Sequence, residues 1–295
     1  MKVIKTQKNK NEFQQEFNEI ISSYNKKITL SVCSIKINGE KNISKVLFFI
    51  PEMGMSYKNY YPYFEFLLDL NIFDEIITFD HIGNGISGGV RGINASGKKY
   101  LEDCKNVFSQ FVKKYSNIIV FGHGFGATLA LIIESEGFFK NVQGIIIKDP
   151  FLNKINHKGM GKRVGQLINL KKIKRYIMLE TFLGKEYFPT IEDQLVFDVE
   201  CLNSRSFSLD FLDTLNELTN GVIERAYLAE KPILFLHGMK KSSELVTLYQ
   251  KGVGENKVTS VELSKDGHFE NFKMPVRNDL MMIASWVNNL NGATN

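Results

Sequence analysis

The chain has little cysteine: three residues in 295, Cys33, Cys104 and Cys201. An odd number at wide spacing builds neither a disulfide framework nor a zinc site, and it suits a reducing compartment. Long apolar runs are also missing. The longest, such as Val46–Ile50 and Thr128–Ile133, fall far short of the ~20 residues a membrane-spanning helix needs. The basic stretch Met1–Lys10 has no apolar region behind it, so no secretory signal is expected. A cytoplasmic location without a membrane span follows as the expectation. The five histidines show no E-x-x-H spacing and no nearby cysteines, which speaks against a metal site. Charge of one sign is scarcely in excess: 37 Lys and Arg against 32 Asp and Glu, a net +5. The lysines are scattered and often stand beside asparagine, unlike the clustered basic face that nucleic acid requires. No internal repeat or low-complexity linker is present.

What the chain does have is 43% hydrophobic residues, enough to build one large α/β core. Strand and helix signals alternate along it. Ile28–Ile37 largely alternates apolar with polar. Val46–Ile50 is a short continuous apolar run, as expected of a strand buried on both faces, and Glu75–Phe79, Asn117–Phe121 and Val142–Lys148 read as further strands. Between them, Tyr60–Leu70, Lys99–Tyr115 and Phe125–Glu134 carry helical spacing. In the second, Leu101, Cys104, Val107, Phe108, Phe111 and Val112 form one stripe, which makes Cys104 a core thiol. The rhythm breaks over residues 151–220, which are basic and helix-like and offer no convincing strand. It resumes with Ser208–Ala229 as helix, Pro232–Leu236 as strand, Glu244–Gly252 as helix, Lys257–Leu263 as strand and Asp279–Leu290 as helix. Such alternation implies a mostly parallel sheet covered on both faces. The expected organisation is a core from residues 1–150 and 221–295, with 151–220 as a helical cap over the strand ends.

One stretch is rich in chemical suggestion: Gly122-His123-Gly124-Phe125-Gly126-Ala127, between a buried strand and a buried helix. Three readings are open. It has the frame of a nucleophile elbow, G-x-S-x-G, with glycine at the nucleophile position. Gly122, Gly124 and Ala127 also match a dinucleotide fingerprint, G-x-G-x-x-[GA], with Asp149 as the following acid, although at least three strands precede it. Alternatively, the glycines simply let a helix pack close to a strand.

The neighbouring segments carry a family resemblance. Phe79-Asp80-His81-Ile82-Gly83-Asn84-Gly85-Ile86-Ser87-Gly88-Gly89-Val90-Arg91-Gly92 resembles the D-x-x-G-x-G-x-S-x-G loop of the monoacylglycerol lipase and lysophospholipase branch of the α/β-hydrolases. Tyr100-Leu101-Glu102-Asp103, Asp193-Gln194-Leu195, Pro232–Gly238 and Asp266-Gly267-His268 resemble further segments of that branch. The likeness runs in order from about Val46 to Leu290 and implies an α/β-hydrolase fold with a helical cap. It also implies a serine nucleophile at position 124, an acid at position 241, His268 as the base, and the backbone N–H groups of Met53 and Phe125 as oxyanion donors.

This chain departs from that pattern at three places. Position 124 is glycine, which cannot form an acyl-enzyme. Position 241 is lysine, which cannot orient a catalytic histidine as a carboxylate does. The family's His-Gly motif becomes Pro51-Glu52-Met53-Gly54, which brings Glu52 close to where negative charge should develop. Asp149 is the alternative acid, at the end of the strand after the elbow helix. Of the remaining histidines, His81 and His237 read as structural and His157 as solvated. The expected function is that of a non-catalytic α/β-hydrolase that binds an acyl lipid or a protein partner and needs no cofactor. The alternative is a serine hydrolase of monoacyl lipid esters whose nucleophile has been replaced by Gly124. A dinucleotide-binding protein is the distant third reading.

Overall fold

The computed structural model describes residues 5–8, 13–39, 42–92, 95–150, 178–180, 202–204, 206–237, 243–263 and 275–292. The core is a nine-stranded sheet. In chain order its strands are β1 (Lys5–Lys8), β2 (Phe13–Ile21), β3 (Thr29–Ile37), β4 (Lys45–Ile50), β5 (Glu75–Phe79), β6 (Asn117–His123) and β7 (Val142–Lys148). Two further strands outside this sheet, β8 (Met178–Glu180) and β9 (Ser206–Ser208), pair antiparallel with each other. The main sheet is completed by β10 (Ile233–His237) and β11 (Val258–Glu262). The spatial order is β1-β2-β3-β5-β4-β6-β7-β10-β11. From β5 to β11 every pairing is parallel, and β1 to β3 extend the sheet antiparallel.

The helices are α1 (Tyr61–Asp69), α2 (Gly97–Val107), α3 (Phe125–Ser135), α4 (Leu209–Glu224), α5 (Ser243–Val253) and α6 (Arg277–Gly292). The parallel strands β4, β5, β6, β7 and β10 are buried along almost their whole length because helices screen both faces, whereas the edge strand β11 is largely exposed. Val46 to Ile50 and Ile145 to Ile147 are completely buried. Helix α3 is buried from Phe125 to Glu134 and packs beside β6 as its own crossover. Helix α2 ends in a π-helical turn, Phe108–Val112. The extra residue in that turn shifts the apolar stripe, so that Phe111 and Val112 still face the core. Leu101, placed on the stripe by spacing, is only partly buried.

Two buried carboxylates tie elements distant in sequence. Asp103 of α2 accepts from the Ser22 hydroxyl at 2.9 Å and the Ser23 N–H at 2.6 Å, clamping the β2–β3 hairpin to the core. Glu134 at the end of α3 accepts from the N–H groups of Glu230 and Lys231 at 3.0 and 2.9 Å, just before β10.

The segment 151–220 does contain strand, against the sequence expectation. The β8–β9 ribbon is only three residues per strand, too short to leave a periodic signal, and it adds nothing to the central sheet. Its second strand and the residues leading into it are bonded to the loops after β4 and β5. Gly85 N–H donates to Leu202 O at 3.1 Å, Ser204 N–H to Gly54 O at 2.8 Å, and Ser208 N–H to Gly92 O at 2.8 Å. Arg91 also donates to Leu202 O, at 2.6 Å. These bonds lie at the C-terminal ends of the parallel strands, where open α/β sheets bind ligands.

Candidate active site

The turn between β6 and α3 has the geometry of an elbow. Gly124 caps α3 with φ +53° and ψ −113°, a backbone region that side chains rarely adopt. Its flanking glycines are required by contact. A Cβ on Gly126 would lie 2.0 Å from Ile50 O, and one on Gly122 would lie 2.5 Å from Ala127 Cα. The strand and helix can therefore approach closely enough to aim residue 124 above the sheet. Gly124 N–H donates to Lys148 O at 2.9 Å, tying the elbow to the end of β7. The dinucleotide reading finds no support in this arrangement. The glycine turn follows β6 in the sheet interior, and Asp149, its would-be ribose acid, is buried beside Lys148.

The second half of the site is the loop after β4. Met53 N–H and Phe125 N–H converge on a single point, and that point is occupied. Glu52 Oε1 accepts from Met53 N–H at 2.7 Å and from Phe125 N–H at 2.9 Å. Glu52 is 2% exposed. Burial pushes its carboxyl up to about 8, the negative charge of nearby Asp149 adds to that, and the two N–H bonds only partly oppose it. Near neutral pH the group is mostly an uncharged carboxylic acid.

The loop is held in place by polar contacts to its backbone. Glu52 N–H donates to Tyr60 Oη at 3.0 Å, and that hydroxyl lies 2.9 Å from His123 Nδ1. Gly54 N–H donates to Asn84 Oδ1 at 2.9 Å. His81 Nε2 donates to Pro51 O at 2.9 Å. The imidazole is boxed by the rings of Phe79, Tyr100 and Phe125, and burial lowers its pKa to about 4. His81 is therefore a neutral structural donor, as the sequence suggested. Asp80 shapes the adjoining loop by accepting from Tyr57 N–H at 2.7 Å and Ile86 N–H at 2.9 Å. Burial raises its pKa to about 7.

Asp149 stands at the end of β7 with φ +42° and forms a buried ion pair with Lys148. His268 and Lys241 lie outside the described residues, as do His157, Cys201 and Asp193. His237 Nε2 lies 2.8 Å from Ser260 Oγ on the neighbouring strand. Cys33 and Cys104 are buried free thiols. Sequence reasoning overlooked Tyr60 and Lys148. Tyr60 carries no motif, but a lysine closing an otherwise apolar strand next to an aspartate was a readable signal for a buried pair. Met53 and Phe125 are buried and apolar beneath the elbow. A separate surface cleft of about 570 Å³ lies between α2, α3 and α4, lined in part by Leu101, Ile132 and Leu218, and does not include the elbow. Among the described residues no group of acidic, histidine or cysteine side chains could hold a metal, and no helix is long and apolar enough to cross a membrane.

Comparison with known proteins agrees with this geometry. A family model described as serine aminopeptidase, S33, matches residues 41–242, more than half of the chain. No curated protein sequence matches. Among solved structures, the monoacylglycerol lipase of Paleococcus ferrophilus superposes with a TM-score of 0.69 at 16% identity, covering 88% of this chain and 99% of that one. A soluble variant of the Saccharomyces cerevisiae monoglyceride lipase, in complex with a substrate analog, gives 0.70 at 12% identity, covering 92% and 96%. Mouse alpha/beta hydrolase domain-containing protein 10 gives 0.60 at 14% identity, covering 95% and 99%.

Proposed function

Because the chain belongs to the serine aminopeptidase S33 family and has the α/β-hydrolase fold, we propose that it is a non-catalytic, monoacylglycerol lipase-like member that binds an acyl lipid without hydrolysing it. The reading rests on Gly124. The elbow is intact in its backbone angles and its close packing, yet the residue it presents has no side chain. Acyl transfer begins with a nucleophile whose electron pair attacks the ester carbon. At position 124 there is no oxygen or sulfur to supply one. The loss of a carboxylate at position 241 points the same way, since a histidine without its acid is a weakened base. The likeness to lipases of monoacyl substrates, together with the apolar Met53 and Phe125 beneath the elbow, supports an acyl chain as the ligand.

The test compares turnover with binding. The protein is offered a monoacylglycerol and a short p-nitrophenyl ester, and separately a fluorophosphonate probe. We expect no burst and no probe labelling, while native mass spectrometry detects the intact monoacylglycerol bound. Probe-sensitive esterase activity in the unmodified protein would refute the reading. Strong burst kinetics in Gly124→Ser alone would favour instead a serine hydrolase that lacks only its nucleophile. Lys241→Asp beside it reports whether the missing acid matters.

A further inference from the structure

We infer that Glu52 is the resident occupant of the oxyanion hole, closing it to any substrate carbonyl independently of the missing nucleophile. The inference deepens the reading above and rests on the family resemblance, which implies the N–H groups of Met53 and Phe125 as the two oxyanion donors. A working hole places its donors about 2.7–3.1 Å from where the oxyanion will stand. Glu52 Oε1 meets both donors within that range, at 2.7 and 2.9 Å. Each N–H has one proton to give, and both are given to the same oxygen. A second oxygen cannot share the seat, so a substrate carbonyl would have to displace the carboxyl.

Displacement is disfavoured by connectivity. The carboxyl belongs to the residue immediately before one of the donors, and the backbone of that residue is itself fixed by Tyr60 Oη at 3.0 Å. A tethered group competes at an effective concentration that a dissolved ligand seldom reaches. The arrangement matches a hydrolase holding its carboxylic acid product, except that this product never leaves. The ligand class narrows accordingly. An acyl lipid bound here is recognised by its chain and by polar groups other than its ester carbonyl, so an ether lipid of the same chain serves equally well.

The experiment uses the full chain and three forms: unmodified, Glu52→Gln and Glu52→Ala. The first readout is the amide proton shifts of Met53 and Phe125, with Gly124, bonded to Lys148 O, as an internal reference. We expect both amides to keep their hydrogen-bonded shifts in Glu52→Gln and to move upfield together in Glu52→Ala, with Gly124 unmoved. If the alanine variant does not fold, Glu52→Asp, one methylene too short to reach, replaces it. Unchanged Met53 and Phe125 shifts on removal of the carboxyl overturn the inference. The second readout is binding of 1-monooleoylglycerol against its ether analogue 1-O-oleylglycerol. Affinities equal within about twofold are expected in the unmodified protein, with an ester preference of at least fivefold in Glu52→Ala. An ester preference already present in the unmodified protein overturns the inference. Binding of neither lipid, with the amide shifts moving as expected, removes the acyl-lipid reading and leaves the closed hole standing.

Discussion

The carboxyl of Glu52 makes stability depend on pH in a way that one substitution isolates. Its pKa is about 8 in the fold against an ordinary value of 4.5. Between those values the folded protein keeps a proton that the unfolded chain has released. Stability from this group is therefore complete below about 4.5 and is lost as pH rises toward 8. At ~1.4 kcal/mol for each tenfold difference in proton affinity, the full loss is roughly 4–5 kcal/mol. Glu52→Gln keeps an oxygen for Met53 and Phe125 but cannot ionise. We expect the two proteins to be nearly equal in stability at pH 5 and the glutamine variant to pull ahead by roughly 4 kcal/mol at pH 9. In a chain of this size that is a melting-temperature gap on the order of 8 °C. Asp80, raised to about 7, adds a loss of the same sign, and His81, lowered to about 4, adds a gain between pH 4 and 6.5. Both backgrounds are common to the two proteins and cancel in the difference. Urea or thermal melts at pH 5, 7 and 9 measure it. Parallel stability curves for the two proteins would refute a buried, proton-holding carboxyl at this position.

Three further outcomes are expected. Gly126→Ala should destabilise the fold by about 3 kcal/mol, because its Cβ meets the Ile50 carbonyl and neither backbone can yield; a urea melt showing less than ~1 kcal/mol would mean that the elbow packs more loosely than described. Lys148→Met should cost about 3–5 kcal/mol by leaving the Asp149 carboxylate buried without its ammonium, and adding Asp149→Asn should recover much of that loss in the same melts. Asp103→Ala should speed amide exchange in β2 and β3 more than in β6, since it releases only the Ser22–Ser23 end of the hairpin.

The parallel strands were legible because burial on both faces leaves an unmistakable record. Glu75–Phe79 and Val142–Lys148 begin and end where the sequence places them. Strand β2 was not legible for the opposite reason. Its buried positions are Phe13 and Gln15 on one face and Asn18 and Ile20 on the other, so polarity no longer tracks exposure. In the site, the elbow could be read from glycine spacing because the spacing is a packing requirement. The resemblance could name Met53 and Phe125 as candidate donors, since they would contribute only backbone. That Glu52 fills the hole was beyond sequence reasoning. A sequence places the residue beside the donors but says nothing of the rotamer that folds its carboxyl back onto its own neighbour's N–H.

On the proposed reading, two of the three departures, Gly124 and Glu52, would act on opposite halves of one reaction, and both favour the folded state. Gly124 removes the electron pair that would attack, and at φ +53° it avoids strain on the order of 1–3 kcal/mol that a side chain would bear there. Glu52 removes the stabilisation of developing negative charge. It also satisfies two buried donors that an empty hole would leave to water or unpaired, each worth about 1–3 kcal/mol if left unmade. A catalytic site tolerates such strained backbone and waiting donors because turnover requires them. Here neither is present: residue 124 has no side chain to strain, and the two N–H groups are met by the Glu52 carboxyl. With its pKa near 8, Glu52 enters mostly as a neutral acid at pH 7, so it fills an anion's seat without burying a full charge. That explains how a carboxyl can sit against these two N–H groups without destabilising the fold around it near neutral pH.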